Sequence, residues 1–329
     1  MKKILAILFF GLVLFYFIGP TPDTPAYSAV LPEVPSIEKL ENFIATKEAA
    51  YDVKLGNGAE IIWWDSSKTR TNVAIVYLHG FTASHEEGAP THREIAERFG
   101  CNLYLARLQE HGLNSEEPLL NFTADGIWES AKEAYIIGTK LGKEVIIMST
   151  STGGTLALKL AATFPEIAGL INYSPNIEIN DPAAFLLNDP WGLRIARLNF
   201  KSDYRTVPAD DDYRKYWYDK YRLESVVELQ ELVETAATSS TFEKVTCPVF
   251  NGVYYKDEEH QDQTVRVSAI REMHKDLGTP ADLKQIVEFP EAGGHVIAYG
   301  NQSGAIDEVR KATIDFLEVT VGLRNKSTD

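Results

Sequence analysis

The chain has 329 residues and very little sulfur: two cysteines, Cys101 and Cys247, and three methionines. Two thiols cannot make a disulfide framework. Each opens an apolar run that reads as a strand, so both are expected to be small buried hydrophobes. No Cys-x-x-Cys and no clustered His/Cys spacing is present, which excludes a zinc site of the usual kind. Basic residues are also short, at 32 Lys and Arg against 47 Asp and Glu, a net charge of −15. Nucleic acid is thereby excluded as a partner, because phosphate binding needs clustered cations. There is no internal repeat, and no cysteine follows the N-terminal apolar run, which excludes a lipoprotein anchor.

What remains is the balance of an ordinary globular protein, 44% apolar and 24% charged, long enough to bury a full core in one large domain or two small ones. Lys2 and Lys3 precede an apolar run from Ile4 to Ile18, broken only by Gly11. A Pro-rich polar stretch follows, from Gly19 to Pro35. A positive start before an apolar run is an export signal. It reads either as a cleaved signal, with Ala26-Tyr27-Ser28 as a candidate cleavage site, or as an uncleaved signal-anchor. The folded part is expected outside the cytoplasm, periplasmic, extracellular or held at a membrane, consistent with lysines inside. The expected organisation is signal and linker over 1–35, one domain over 36–324 and a polar tail over 325–329.

Within the domain, apolar periodicity predicts alternating strands and helices. A helix is expected over Ser36 to Ala50. Strands are expected over Ala59 to Asp65, Asn72 to Leu78, Cys101 to Leu108, Glu144 to Met148 and Gly169 to Tyr173. Helices are expected over Thr91 to Phe99, Asn121 to Leu141 (stopped by Gly142) and Thr155 to Phe164. From Asn176 to Glu243 the alternation breaks into an aromatic, charged segment. It then resumes with strands Pro248 to Tyr255 and Leu283 to Phe289, and helices Val265 to Leu277 and Ser303 to Leu317. Alternation implies an α/β fold, a mostly parallel sheet with helices on both faces. The interruption implies an inserted helical cap over about 176–243. Ligands of such a sheet bind outside the carboxyl ends of the strands.

Three strand ends carry chemistry. Ser149-Thr150-Ser151-Thr152-Gly153-Gly154 lies between an apolar strand and an Ala/Leu-rich helix. This is the setting of the Gly-x-Ser-x-Gly nucleophile elbow, with Ser149 in place of the first glycine and Ser151 at its centre. A Ser/Thr cluster that merely caps the helix is the alternative reading. His79-Gly80-Phe81-Thr82 follows another strand. Backbone N–H groups of Phe81 and Thr152 are placed to form an oxyanion hole. Pro290 to His295 follows the last strand; histidine is the side chain suited to a general base near neutral pH, and His295 has the chain position for it. Its one rival, His111 in Glu110-His111-Gly112, precedes the serine. The acid must follow the strand ending at Tyr255. Asp257 is the expected choice, just past its end. Asp262 is the alternative, further into the loop, where it reads as the cap of the next helix.

These motifs, in this order, resemble the α/β-hydrolase superfamily, and within it the carboxylesterases and monoglyceride-lipase-like enzymes. The resemblance covers roughly Ile61 to Leu317. It implies a triad of Ser151, Asp257 and His295, oxyanion donors Phe81 and Thr152, and a helical cap between Pro175 and Pro248. It implies hydrolysis of an acyl bond, first of all a carboxylic ester, through an acyl-enzyme at Ser151. No metal or organic cofactor is expected, and the partner is a small-molecule acyl substrate. Thioesterase or peptidase action on the same fold is compatible with these residues. So is a non-catalytic, membrane-anchored binding protein, since fold does not dictate function. Trp191, Tyr204, Tyr216, Trp217, Tyr218 and Tyr221 are expected either to line an acyl pocket or to pack the cap.

Overall fold

A computed structural model describes residues 10–11 and 14–326. After the N-terminal run, helix α1 (Ile37–Glu48) buries Leu40 and Ile44, four residues apart on one face. β1 (Glu60–Ile62) and β2 (Thr71–Leu78) follow, then α2 (Thr91–Phe99), closed by Gly100 in the left-handed conformation. β3 (Asn102–Leu105) leads to α3 (Ala124–Leu141), capped by the Thr123 side chain accepting from the N–H of Gly126. β4 (Gly142–Thr150), α4 (Thr152–Thr163) and β5 (Gly169–Tyr173) complete the first half.

The segment after β5 holds α5 (Gly192–Phe200), a ribbon of β6 (Tyr204–Thr206) and β7 (Lys220–Arg222), α6 (Asp211–Tyr216), α7 (Leu223–Ala236) and α8 (Ser239–Phe242). The ribbon is antiparallel and separate from the main sheet. β8 (Val249–Val253), α9 (Val267–Asp276), β9 (Lys284–Glu288) and α10 (Ile306–Phe316) close the fold.

The main sheet has seven strands in the order β1-β3-β2-β4-β5-β8-β9. All its pairs are parallel except β1 with β3 at one edge. Residues 73–78 of β2 are all buried, as a central parallel strand covered on both faces requires. Their alternation divides the core: Ala74, Val76 and Leu78 pack with α1, α3, α4 and α7, while Val73, Ile75 and Tyr77 pack with α2 and α10. The fold is therefore the mostly parallel α/β sandwich with an inserted, largely helical segment that the alternation predicts.

Gly142, expected as a helix stop, opens β4 with no loop after α3. A Cβ there would lie 2.3 Å from the backbone nitrogen of Ala74, so only glycine lets the strand begin so close to β2. Cys101 is buried and Cys247 partly so, and burial pushes both thiols up to about 12.

The N-terminal run expected as an export signal or anchor falls partly outside the described residues. Among those that are described, no helix is long and apolar enough to cross a membrane. Phe15 stacks on Trp191 with ring centroids 4.7 Å apart. The linker runs over the surface of α3: the N–H groups of Ala26 and Tyr27 donate to Asp125, and the Trp128 indole donates to the Ser28 carbonyl.

Candidate active site

β4 ends at Thr150, and the chain turns through Ser151 directly into α4. Ser151 has φ 55° and ψ −118°, a left-handed conformation that costs a β-carbon residue about 1–3 kcal/mol. The surroundings hold it there. Its N–H donates to the Tyr173 carbonyl at 3.0 Å, and its own carbonyl accepts from Gly154 at 2.8 Å and Asn176 at 2.9 Å. Gly153 is fixed by contact, because a Cβ there would meet the Leu78 carbonyl oxygen at 2.0 Å.

The position where the elbow pattern has its first glycine is occupied by a working serine. Ser149 Oγ donates to Asn172 Oδ1 at 2.9 Å, Asn172 Nδ2 donates to Asn251 Oδ1 at 3.1 Å, and Asn251 Nδ2 donates to His274 Nδ1 at 3.1 Å. The register places Ser149 opposite Asn172, and Asn172 opposite Asn251, so three neighbouring strands carry one buried polar row. Burial, then Lys284, lowers His274 to about 4, which keeps its imidazole a neutral acceptor. Ser149→Ala removes a donor from a buried amide oxygen. It is expected to lower stability by about 1–3 kcal/mol with little change in kcat, measured by urea unfolding beside ester turnover.

His295 lies in the loop after β9. Its Nδ1–H donates to Asp262 Oδ2 at 2.6 Å, and its carbonyl accepts from Ser174 Oγ at 2.8 Å. The other ring nitrogen, Nε2, is buried with no hydrogen-bond partner. The Asp262 carboxylate is fully buried, and its Oδ1 accepts from the N–H groups of Thr264 and Val265. Burial alone would raise its pKa, but His295 beside it and these two N–H groups hold it below the usual carboxylate range.

The structure pairs His295 with Asp262 and not with Asp257, the carboxylate expected from the sequence. That residue is half exposed, and its carboxylate accepts from the N–H groups of Glu259 and His260 and pairs with the His260 ring at 2.8 Å. The reason is a small excursion after β8. Tyr255 bridges back to Gln261, so Asp257 sits at the tip of a turn that leaves the sheet. Asp262 is where the chain returns, its N–H donating to the Tyr254 carbonyl. The last residue of the loop is thus nearer the strand end than the first.

The N–H groups of Phe81, after the end of β2, and of Thr152, at the start of α4, have no acceptor among the described residues. Two buried histidines shape this turn. His79 Nε2 accepts from Leu108 N–H at 3.0 Å, so its Nδ1 carries the proton and donates to the Gly80 carbonyl at 2.9 Å. That carbonyl belongs to the same peptide unit as the Phe81 N–H, and a donor at one end strengthens the donor at the other. His111 Nε2 accepts from Thr82 N–H at 3.1 Å, and its Nδ1–H donates to Gln109 O at 2.7 Å. Burial lowers both, His111 to about 4, so both remain neutral acceptors near pH 7. Sequence reading placed His79 in the turn and took His111 as a rival base and as part of the His-Gly pair that carries the resemblance, without a part in the turn. The available signal was a His-Gly pair after each of two strands, β2 and β3, that are neighbours in the sheet.

The inserted segment reaches this end of the sheet. The N–H of Tyr218 donates to Thr82 O at 2.9 Å, and the Trp217 ring lies 5.4 Å from that of Tyr299 in the histidine loop. Tyr218 donates its hydroxyl to backbone carbonyls of Glu110 and Leu113. These aromatics pack the cap down. Tyr221 differs: its ring sits edge-on to Phe81, centroids 5.4 Å apart, and Phe122 flanks Phe81 from another side. Among the described residues no group of three or more His, Cys, Asp or Glu is placed to hold a metal.

No family model matches the chain. It is 26% identical over 190 residues to a thermostable monoacylglycerol lipase of Bacillus sp. (strain H-257), spanning 57% of this chain and 71% of that enzyme. Among solved structures, that described for the metagenome-derived lipolytic enzymes LipS and LipT superposes with TM-score 0.62 at 17% identity, covering 81% of this chain and 99% of that one. Est1E from Butyrivibrio proteoclasticus with ferulic acid bound gives TM-score 0.55 at 19% identity, over 80% and 95% of the two chains. With its seven-stranded sheet, its serine turn after β4 and these likenesses, the chain has the α/β-hydrolase fold.

Proposed function

We propose that the chain is a serine hydrolase that cleaves carboxylic esters through an acyl-enzyme at Ser151. The observation that carries this reading is the pairing of His295 with the buried Asp262, its Nε2 left unpartnered, on the sheet end that also holds the strained Ser151 turn. In this reading Asp262 fixes the tautomer of His295, whose Nε2 lone pair takes the Ser151 proton as Oγ attacks the substrate carbonyl. The negative charge on the carbonyl oxygen falls to the N–H groups of Phe81 and Thr152. The imidazolium then returns its proton to the leaving alcohol as the C–O bond breaks. A water enters, gives a proton to His295, attacks the acyl carbonyl and frees the acid, and the proton goes back to Ser151.

The aromatic surround of Phe81 supports an apolar acyl group, and the named relatives include a monoacylglycerol lipase and lipolytic enzymes. The reading is tested with p-nitrophenyl esters of graded chain length and monoacylglycerols, set beside thioesters and aminoacyl amides. Ester turnover well above amide and thioester turnover supports it. A preference for aminoacyl amides replaces it with a peptidase of the same fold.

A further inference from the structure

The turn that follows the oxyanion segment, His85–Gly88, carries a carboxyl group that the proposed mechanism does not use. Glu87 is only 2% exposed, and among the described residues it pairs with no Lys or Arg. Its Oε1 instead accepts the N–H of Gly80, one residue before the oxyanion donor Phe81. A Cβ built on Gly80 would lie 3.0 Å from Ser151 Cβ and 3.2 and 3.3 Å from the two Glu87 oxygens. Gly80 thus lies between the nucleophile and a buried carboxyl group, and a side chain there would press on both.

The groups facing Glu87 are few. From β2 comes the Tyr77 hydroxyl, which also bonds Thr150 Oγ1 at 2.8 Å. The end of β4 with the residue after it, Met148 to Ser151, carries no acidic or basic side chain. From α6 comes Tyr213, which feels the Glu87 charge, while Asp211, Asp212, Arg214 and Lys215 of that helix pair with one another at the surface. His92 of α2 packs edge-on to the Tyr77 ring, and burial lowers it to about 3, so it brings no positive charge. Burial raises the Glu87 carboxyl to about 8, against the smaller opposing pulls of Gly80 N–H and Tyr77.

We propose that Glu87 is a positioning residue of the oxyanion turn that works only as the uncharged acid. One carboxyl oxygen fixes Gly80, and through it the aim of the Phe81 N–H, without adding negative charge beside the forming oxyanion. When Glu87 releases its proton to solvent, the carboxylate left behind opposes charge build-up on the substrate carbonyl, and the chemical step slows. This inference rests on the reading of Ser151 as nucleophile.

The test is kcat and KM for a soluble short-chain ester from about pH 5 to pH 10, corrected for spontaneous hydrolysis, in the parent, Glu87→Gln and Tyr77→Phe. The parent is expected to lose about tenfold in kcat on an alkaline limb with its midpoint near 8, at little cost in KM. Glu87→Gln, which keeps the acceptor for Gly80 and cannot ionise, is expected to hold kcat within a few-fold at neutral pH and to lack that limb. A residue that only packs the turn would lower kcat equally at every pH. Tyr77→Phe removes a hydroxyl that favours the ionised form and is expected to move the limb to higher pH. A parent flat to pH 10, or a Glu87→Gln enzyme with the limb unmoved, overturns the inference. If Glu87→Gln shows no cooperative melt, an unmoved limb in Tyr77→Phe does so. Absence of hydrolysis and of fluorophosphonate labelling at every pH overturns the Ser151 reading and this inference together.

Discussion

Asp262→Asn is expected to lower kcat by about 10³–10⁴-fold, about 4–5.5 kcal/mol of transition-state stabilisation, while Asp257→Asn leaves it within about two-fold. The difference follows from where each carboxylate sits. Asp262 accepts the Nδ1–H of His295 at 2.6 Å from a fully buried position. An amide nitrogen there would face that proton donor with donors of its own. The imidazole would then turn or change tautomer, and Nε2 would no longer present a lone pair to Ser151. No buried charge would remain to stabilise the imidazolium either. Asp257 touches only its own turn and His260, both largely exposed. Equal losses in steady-state kcat for the two variants would show that the His295–Asp262 pair is not the working one.

Gly153→Ala is the second large effect. A methyl group would stand 2.0 Å from the Leu78 carbonyl oxygen, 2.7 Å from its carbon and 2.9 Å from the His79 oxygen. All three are backbone atoms of the segment that leads into Gly80 and Phe81, so the clash cannot be relieved by a rotamer change. Either β2 and α4 separate or the variant stays unfolded. A stability loss of about 3 kcal/mol or more is expected in chemical unfolding. Whatever folds should lose about a hundredfold in kcat, because the nucleophile and the oxyanion donors lie on the two sides of the contact. Gly294→Ala is the matched control. A Cβ there meets nothing within 4 Å, and the variant is expected to keep stability close to that of the parent.

The parts of this site that were legible in the sequence are those whose geometry is made locally. The Ser151 turn needs small flanks between a buried strand and a helix, and it leaves that mark in six consecutive residues. His295 was findable by elimination and chain order. The N–H groups of Phe81 and Thr152 follow once the two strand ends are placed. Asp262 was legible only as the second choice, because its nearness to β8 depends on residues 255–261 folding into a bridged turn. Counting from the strand end then favours Asp257, the carboxylate that His295 does not meet. Ser149 weakened the motif when read alone. Its reason is a row of amides on β5 and β8 that no local pattern announces. Glu87 reads as one more charged residue in a polar loop, and only the fold shows that it lies under Gly80. The cap followed from the break in alternation, but its aromatics divide: Trp217 and Tyr218 pack it down, while Tyr221 borders Phe81.

The central claim is that Ser151 is an activated nucleophile served by His295 and Asp262. The measurement that meets it most directly is fluorophosphonate labelling of the folded protein, with circular dichroism and melting curves confirming the fold of each variant. The account predicts stoichiometric labelling of the parent, none of Ser151→Ala, and labelling slowed by orders of magnitude in Asp262→Asn but not in Asp257→Asn. A folded parent that does not label, or a Ser151→Ala variant that labels as fast as the parent, would contradict it.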